Sequence, residues 1–146
     1  MIVWLLEDDH LQAESIIETV MKTLKIPRSD IVWMKTEHQF YQRLDSEKVR
    51  LPNLAILDVM VRWTDSAPNM PSPPENVRIE RHHRAGARCC EKLRAIAPNI
   101  PVIFYTILSE EDLFKGPYAD VIASGTVITK AGNSKALIKK LLEFGA

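Results

Sequence analysis

A chain of 146 residues is long enough to bury the core of one domain of ordinary size. Its 19 basic and 19 acidic side chains balance, so no global field favours nucleic acid or an anionic membrane as a partner. Cys89 and Cys90 are neighbours in a helical pattern, which is no disulfide framework, and no apolar run approaches the roughly 20 residues of a membrane span. We expect one cytoplasmic domain, without membrane insertion, whose cysteines are packing residues.

Short apolar runs alternate with segments of helical period along the first part of the chain. The pattern predicts strand, helix, strand, helix and strand in that order, at residues 2–6, 10–25, 31–34, 40–44 and 54–57. Pro27 ends the first helix, because proline cannot continue helical hydrogen bonding.

A polar stretch with four prolines follows, from residue 62 to about residue 75. Because proline fixes φ and has no N–H, this composition predicts a long loop without regular structure. Helical spacing of apolar residues resumes at Gly86 and continues to Pro98, which predicts the third helix.

The same alternation of strands and helices continues to the end of the chain. It predicts strands at 102–105 and 127–129, each followed by a helix. Ser109 and the acidic residues behind it are typical of a helix N-terminus, and Ser134 is a possible cap of the last helix. Gly116 and Pro117 should interrupt the fourth helix.

Apolar strands that alternate with amphipathic helices predict an α/β fold. Each right-handed crossover lays a helix across the sheet, so the sheet should be parallel and covered on both faces. We expect a doubly wound sandwich with five strands.

Carboxylates follow two of the predicted strands. Glu7, Asp8 and Asp9 close the first apolar run, and Asp58 closes the third. Ligands of such sheets bind at the carboxyl ends of the strands, where neighbouring strands would bring these side chains together. Crowded carboxylates repel one another unless a cation lies between them, and hard oxygen ligands suit Mg²⁺. The sequence therefore predicts a small metal site, while Asp9 is interpreted as a cap or first-turn charge of the helix.

The fourth and fifth strands end in Thr106 and Lys130. With the carboxylates they form a set suited to phosphoryl transfer. Asp58 can attack phosphorus, while Lys130 and Thr106 can bind phosphoryl oxygens. The metal would be held by Asp8 and oriented by Glu7.

These strand ends, in this order, resemble the receiver domains of bacterial two-component response regulators. The resemblance covers nearly the whole chain and implies the flavodoxin-like fold of five β/α units. It also implies a phosphorylation switch, not an enzyme beyond self-catalysed phosphotransfer and autodephosphorylation. The expected phosphodonor is a phosphohistidine on a histidine kinase or phosphotransfer protein, and the output is binding to a downstream protein.

The resemblance assigns a role to each residue of the set. Asp58 is the expected phosphoacceptor and, with Asp8 and the backbone carbonyl of Met60, a ligand of Mg²⁺ or Mn²⁺. Glu7 would hold the metal through water. Thr106 would turn toward the phosphoryl group and Lys130 would bind it. Because the chain ends after the fifth helix, we expect a stand-alone receiver, with a homodimer possible.

Four features depart from the common receiver pattern. Ala131 replaces the usual proline after Lys130, so the loop there could be trans and shifted. Val127 replaces an aromatic switch residue, and Ile107 replaces a small residue beside Asp58. The fourth departure is the length between Asp58 and Gly86, which predicts a proline-rich insertion at about 61–85 beside the site.

One other function stays open on the sequence, and a second is disfavoured. A degenerate receiver could act as a constitutive interaction module, which the departures above would favour. A hydrolase with an aspartyl nucleophile would need a general acid two residues later, and Met60 cannot serve.

Three further patterns lie outside the set. Arg81, Arg84, Arg88 and Lys92 recur at helical spacing, which predicts a basic face that is solvated or binds an acidic partner surface or nucleic acid. Neighbouring pairs at His82–His83 and Cys89–Cys90 lack the spacing of zinc ligands. Trp63 is either a local hydrophobic anchor or an exposed contact residue.

Overall fold

Five parallel strands form the central sheet of the computed structural model, which describes residues 1–46, 48–65, 70–130 and 134–145 and only the backbone of 79–82. The strands are β1 (Val3–Leu6), β2 (Ile31–Met34), β3 (Leu54–Leu57), β4 (Val102–Thr106) and β5 (Thr126–Thr129). They pair in the order β2-β1-β3-β4-β5, and every pair is parallel. The predicted doubly wound fold is confirmed.

Helices connect the strands. In the described residues they are α1 (His10–Leu24), α2 (Glu37–Leu44), α3 (Glu75–Glu80), α4 (Ala85–Ile96), α5 (Glu110–Lys115), α6 (Ala119–Ala123) and α7 (Lys135–Gly145). Short 3₁₀ turns lie at Arg28–Asp30 and Arg81–Arg84. None of these described helices has the length and apolar character needed to cross a bilayer.

The helices cover the two faces of the sheet with separate apolar clusters. On one face, Ile16 of α1 and Leu141 of α7 pack against Ile56 of β3. On the other face, Phe40 of α2 and Leu93 of α4 pack with the remaining strand side chains. Both clusters are needed because alternate residues of β1 and β3, all of them buried, point to opposite faces.

Local capping follows the sequence. The Asp9 side chain accepts the Gln12 N–H at 2.9 Å, and the Ser109 hydroxyl oxygen accepts the Asp112 N–H at 3.2 Å, so both predicted caps are confirmed. The predicted interruption at Gly116 is also confirmed, because α5 ends at Lys115 and α6 begins at Ala119.

The loop predicted to about residue 75 agrees with the start of α3 at Glu75, but the later part of segment 61–85, which the sequence predicts as loop, contains α3 and the 3₁₀ turn at Arg81–Arg84. That this segment is an insertion stays a prediction. Proline suits the start of a helix, and the Arg78 N–H donates to the Pro74 carbonyl at 3.0 Å.

Trp63 anchors the earlier part of the loop. Its ring lies 5.2 Å from His38 and 5.6 Å from Tyr41, and its indole N–H donates to the Pro71 carbonyl at 3.0 Å.

The predicted basic face of a helix is wrong at Arg88, which is buried in an ion pair with Glu37. Lys92 is exposed, as predicted, and the half-buried Arg84 donates to the carbonyls of Asp112 in α5 and Pro117 after it. The structure does not describe the Arg81 side chain. Cys89 and Cys90 are both buried, which confirms that they are packing residues.

Candidate functional site

Three carboxylates meet at the carboxyl edge of the sheet. Glu7 and Asp8 follow β1, Asp58 follows β3, and one oxygen from each lies within 4.8 Å of the others. Glu7 and Asp58 are buried, while Asp8 is half-buried. The structure thus brings together the acidic residues that the sequence singled out.

Backbone hydrogen bonds extend the sheet by one residue at this edge. The Glu7 N–H donates to the Met34 carbonyl at 3.1 Å, and the Asp58 N–H donates to the Leu6 carbonyl at 3.0 Å. Because β1 and β3 are neighbours in register, with Leu6 opposite Leu57, the residues that follow them emerge side by side.

The Asp58 carboxylate is held by its own loop. The Met60 N–H donates to Oδ1 of Asp58 at 3.2 Å. Behind it, the Gly86 N–H donates to the Val59 carbonyl at 3.0 Å, which ties the first turn of α4 to this loop. The loop geometry therefore depends on α4 as well as on β3.

Lys130 completes the cluster from the end of β5. Its Nζ lies 2.5 Å from Oε1 of Glu7 and 3.0 Å from Oδ2 of Asp58, with only 8% of the side chain exposed. The Lys130 N–H donates to the Thr106 carbonyl at 2.8 Å, which fixes the end of β5 against β4. One ammonium group therefore lies between two carboxylates, and all three side chains are largely buried.

Burial and crowding change the acidity of these groups. Burial, with a smaller contribution from the charge of Asp58, raises the pKa of Glu7 from 4.5 to about 7 despite its hydrogen bond to Lys130. The same two causes raise the pKa of Asp8. Burial alone would lower the pKa of Lys130, but Asp58 and Glu7 outweigh burial and the pKa is raised. The carboxylates thus hold more negative charge than the site stabilises.

The donor set fits a hard divalent cation. Its side-chain ligands are carboxylate oxygens, which Mg²⁺ and Mn²⁺ prefer over nitrogen or sulfur. A cation would also offset the burial and the smaller repulsion from Asp58 that raise the pKa values of Glu7 and Asp8. A ligand role of the Met60 carbonyl stays a prediction.

Solved structures with this architecture match nearly the whole chain. A two-component response regulator from Legionella pneumophila is 17% identical, with a TM-score of 0.60 over 99% of this chain and 97% of its own. A CheY-like response regulator receiver domain protein from Methanospirillum hungatei is 17% identical, with a TM-score of 0.59 over 98% and 91%. The chain described here therefore has the fold of a response regulator receiver domain. The Mn²⁺-bound form of response regulator Rcp1 has this fold too, at 19% identity and a TM-score of 0.56 over 98% of this chain and 90% of its own.

Similarity at this level identifies the receiver fold. No protein-family model matches the chain, and a search of curated proteins found no significant match. The function must therefore be argued from the site, because one fold can host several functions.

The remaining predicted residues lie around the site of this receiver fold. Thr106 is fully buried, and its hydroxyl oxygen accepts the Leu108 N–H at 3.3 Å. Ile107 is 70% exposed next to it, and Val127 packs half-buried against the core. The prediction about Ala131 and its peptide bond lies outside the described residues.

Sequence reasoning missed the polar residues that support the site. Trp33 donates its indole N–H to the Glu7 carbonyl at 2.9 Å, and Arg88 forms a buried ion pair with Glu37. A signal for Arg88 existed, because it is the one charged residue among the small and apolar residues of 85–90. Its partner lies 51 positions away, and no local pattern indicates it.

Proposed function

We propose that this chain is a phosphoacceptor switch of a two-component phosphorelay. Asp58 would accept one phosphoryl group in a Mg²⁺-dependent step, and the phosphorylated form would signal by binding another protein. The proposal depends above all on one arrangement: the Asp58 carboxylate lies between two further carboxylates and the Lys130 ammonium at the carboxyl edge of a receiver fold.

The residues of the site would divide the reaction among them. An Asp58 oxygen attacks phosphorus as the bond to the donor breaks, and the product is an acyl phosphate on Asp58. Lys130, already 3.0 Å from Asp58, would donate hydrogen bonds to a phosphoryl oxygen. The Thr106 hydroxyl would bind a second oxygen after leaving the Leu108 N–H.

Asp8 and Asp58, with the Met60 carbonyl, would hold Mg²⁺ or Mn²⁺, and Glu7 would bind it through water. When bound, the cation would neutralise charge on the incoming phosphoryl oxygens. The Mn²⁺-bound form of response regulator Rcp1 shares the fold, which supports a divalent cation as the ligand of this site.

The expected donor is a phosphohistidine on a histidine kinase or phosphotransfer protein, so the chain would act in the cytoplasm. The added phosphoryl group has close to two negative charges and three acceptor oxygens. Such a group can bias the position of β4, α5 and β5, whose surface a downstream protein would bind.

Incubation with Mg²⁺ and acetyl phosphate tests the proposal. Intact mass spectrometry should show one added phosphoryl group, which disappears in Asp58→Asn and in excess EDTA. Asp9→Asn is the matched control, because Asp9 caps α1 through Gln12 and asparagine caps equally well. It should be phosphorylated like the wild type.

Two results would contradict the proposal: no adduct with any small phosphodonor and no effect of beryllium fluoride, or an undiminished adduct in Asp58→Asn. If the affinity for a partner protein is unchanged by Mg²⁺ and by Asp58→Ala, the constitutive interaction module is favoured instead.

A further inference from the structure

A buried ion pair joins α2 to α4 beside the site. The Arg88 guanidinium donates from Nε to Oε2 of Glu37 and from Nη2 to Oε1, each at 2.8 Å. Glu37 is fully buried and Arg88 is 1% exposed. The Tyr41 hydroxyl also donates to Oε2 of Glu37. We call Glu37, Tyr41 and Arg88 the clamp.

Stability alone does not explain the clamp. Two charges lose their hydration when they are buried, and the attraction between them does little more than offset this cost. Well-packed apolar side chains of similar size would hold α2 and α4 together at least as well. Bidentate pairing instead fixes distance and angle, which apolar contacts do not.

The α2 side of the clamp holds the chain that follows Asp58. Glu37 is the first residue of α2, and its N–H donates to the Arg62 carbonyl at 3.0 Å. The next N–H, from His38, donates to the Trp63 carbonyl at 2.9 Å. The end of segment 58–63 is thus fastened to the residue that provides the clamp carboxylate.

The α4 side holds the start of the same segment. Gly86, two residues before Arg88, donates its N–H to the Val59 carbonyl and packs against the backbone of Asp58. Any shift of the first turn of α4 would therefore move Asp58. The clamp links the two elements that fasten segment 58–63 at its opposite ends.

We propose that the clamp is a positioning device: it sets the distance between α2 and α4 and so fixes segment 58–63, which contains Asp58 and the Met60 backbone. This inference rests on the proposed function for its link to phosphoryl transfer. The hydrogen bonds described above join the clamp residues to one another, and the clamp would act on the site through the backbone.

Arg88→Lys and Tyr41→Phe test the clamp. Lysine keeps the charge but cannot pair in two places, and phenylalanine removes one hydroxyl. We expect Mg²⁺ affinity, measured by calorimetry, to fall about tenfold in Arg88→Lys, as for other residues that orient metal ligands, and less in Tyr41→Phe. Phosphorylation by acetyl phosphate should slow in the same order. Amide exchange at Asp58, Met60 and Gly86 should become faster.

Two controls separate positioning from stability. Leu93→Ala removes a fully buried side chain of α4 that belongs to the apolar core, so it should destabilise the fold with little change in Mg²⁺ affinity. Arg94→Lys alters another arginine of α4, which lies about two turns beyond Gly86 and donates to the carbonyl of Ser124, directly after α6, at 3.1 Å. It should bind Mg²⁺ like the wild type.

The clamp is overturned if Arg88→Lys keeps wild-type Mg²⁺ affinity and amide exchange at Asp58 and Met60. It is also overturned if Leu93→Ala weakens Mg²⁺ binding as much as Arg88→Lys does at an equal loss of stability. Failure of the wild type to accept a phosphoryl group would instead contradict the proposed function, while Mg²⁺ affinity and amide exchange would still decide on the clamp.

Discussion

Gly86 packs directly against the backbone of Asp58. A Cβ on Gly86 would stand 2.2 Å from the Asp58 carbonyl oxygen and 2.9 Å from Cα of Val59, closer than atoms can approach. These neighbours are backbone atoms, which cannot rotate away as a side chain can. The absence of a side chain at position 86 is therefore a condition for the observed position of Asp58.

Gly86→Ala should push the Asp58 loop away from α4. We expect a loss of about 1–3 kcal/mol in the free energy of unfolding, together with weaker Mg²⁺ binding. Gly125→Ala is a suitable control, because its Cβ would meet the Phe104 ring at 2.8 Å, away from the carboxylates. Chemical denaturation and calorimetry should show lost stability in both variants but weakened Mg²⁺ binding only in Gly86→Ala.

Lys130→Met should leave Glu7 and Asp58 without their buried counter-charge. Removing one partner of a buried ion pair costs about 3–5 kcal/mol, so metal-free protein should lose stability on this scale above pH 7. The pKa of Glu7 should rise further, because the Lys130 hydrogen bond now lowers it. Urea unfolding in EDTA measures the loss, and added Mg²⁺ should recover part of it. An unchanged unfolding midpoint in EDTA would contradict the described pairing.

The stability of the metal-free protein should depend on pH through Glu7. Its pKa is raised from 4.5 to about 7 by burial, so the folded state binds more protons than the unfolded chain between these values. The contribution of Glu7 to stability is therefore fully present below about pH 4.5 and is lost as pH rises through 7. Unfolding of wild type and Glu7→Gln across this range, in EDTA, should differ in slope, with the variant flatter.

Arg84 and Gly116 should be energetically coupled. Arg84 donates to the Asp112 carbonyl at 2.9 Å and the Pro117 carbonyl at 3.2 Å, and a Cβ on Gly116 would stand 2.1 Å from its guanidinium. Gly116→Ala alone should destabilise by about 1 kcal/mol or more, because it displaces these hydrogen bonds. In an Arg84→Ala background the same change should be neutral or stabilising, because φ is −98° at Gly116 and alanine restricts the unfolded chain. A double-mutant cycle measures the coupling, and additive effects would contradict the described contact.

The strands and the strand-end residues could be predicted because both follow from short-range pattern. All four residues of β1 and of β3 are buried, so each strand is an uninterrupted apolar run. Parallel strands end at one edge, where the long side chain of Lys130 reaches past the ends of β4 and β3 to Glu7, 123 positions away in sequence.

Other features could not be predicted because their cause is tertiary. The sequence does not predict α3, because the four prolines before it indicate a loop. Proline nevertheless suits the start of a helix, where Pro74 lies. Arg88 fits the spacing of a solvated basic face, but it is buried in an ion pair with the distant Glu37. Lys25 and Tyr118 likewise adopt a left-handed backbone conformation that the sequence does not indicate, because glycine is the usual residue at such positions.

The Glu37–Arg88 pair restricts how the sequence can change during evolution. Loss of either charge leaves the other buried without compensation, whereas joint replacement by apolar residues can be neutral. Single-step change at either position therefore passes through a poorly folded ancestor. Among relatives of this chain, positions 37 and 88 should co-vary, being kept together or exchanged together, and a lineage that has crossed this barrier should rarely revert.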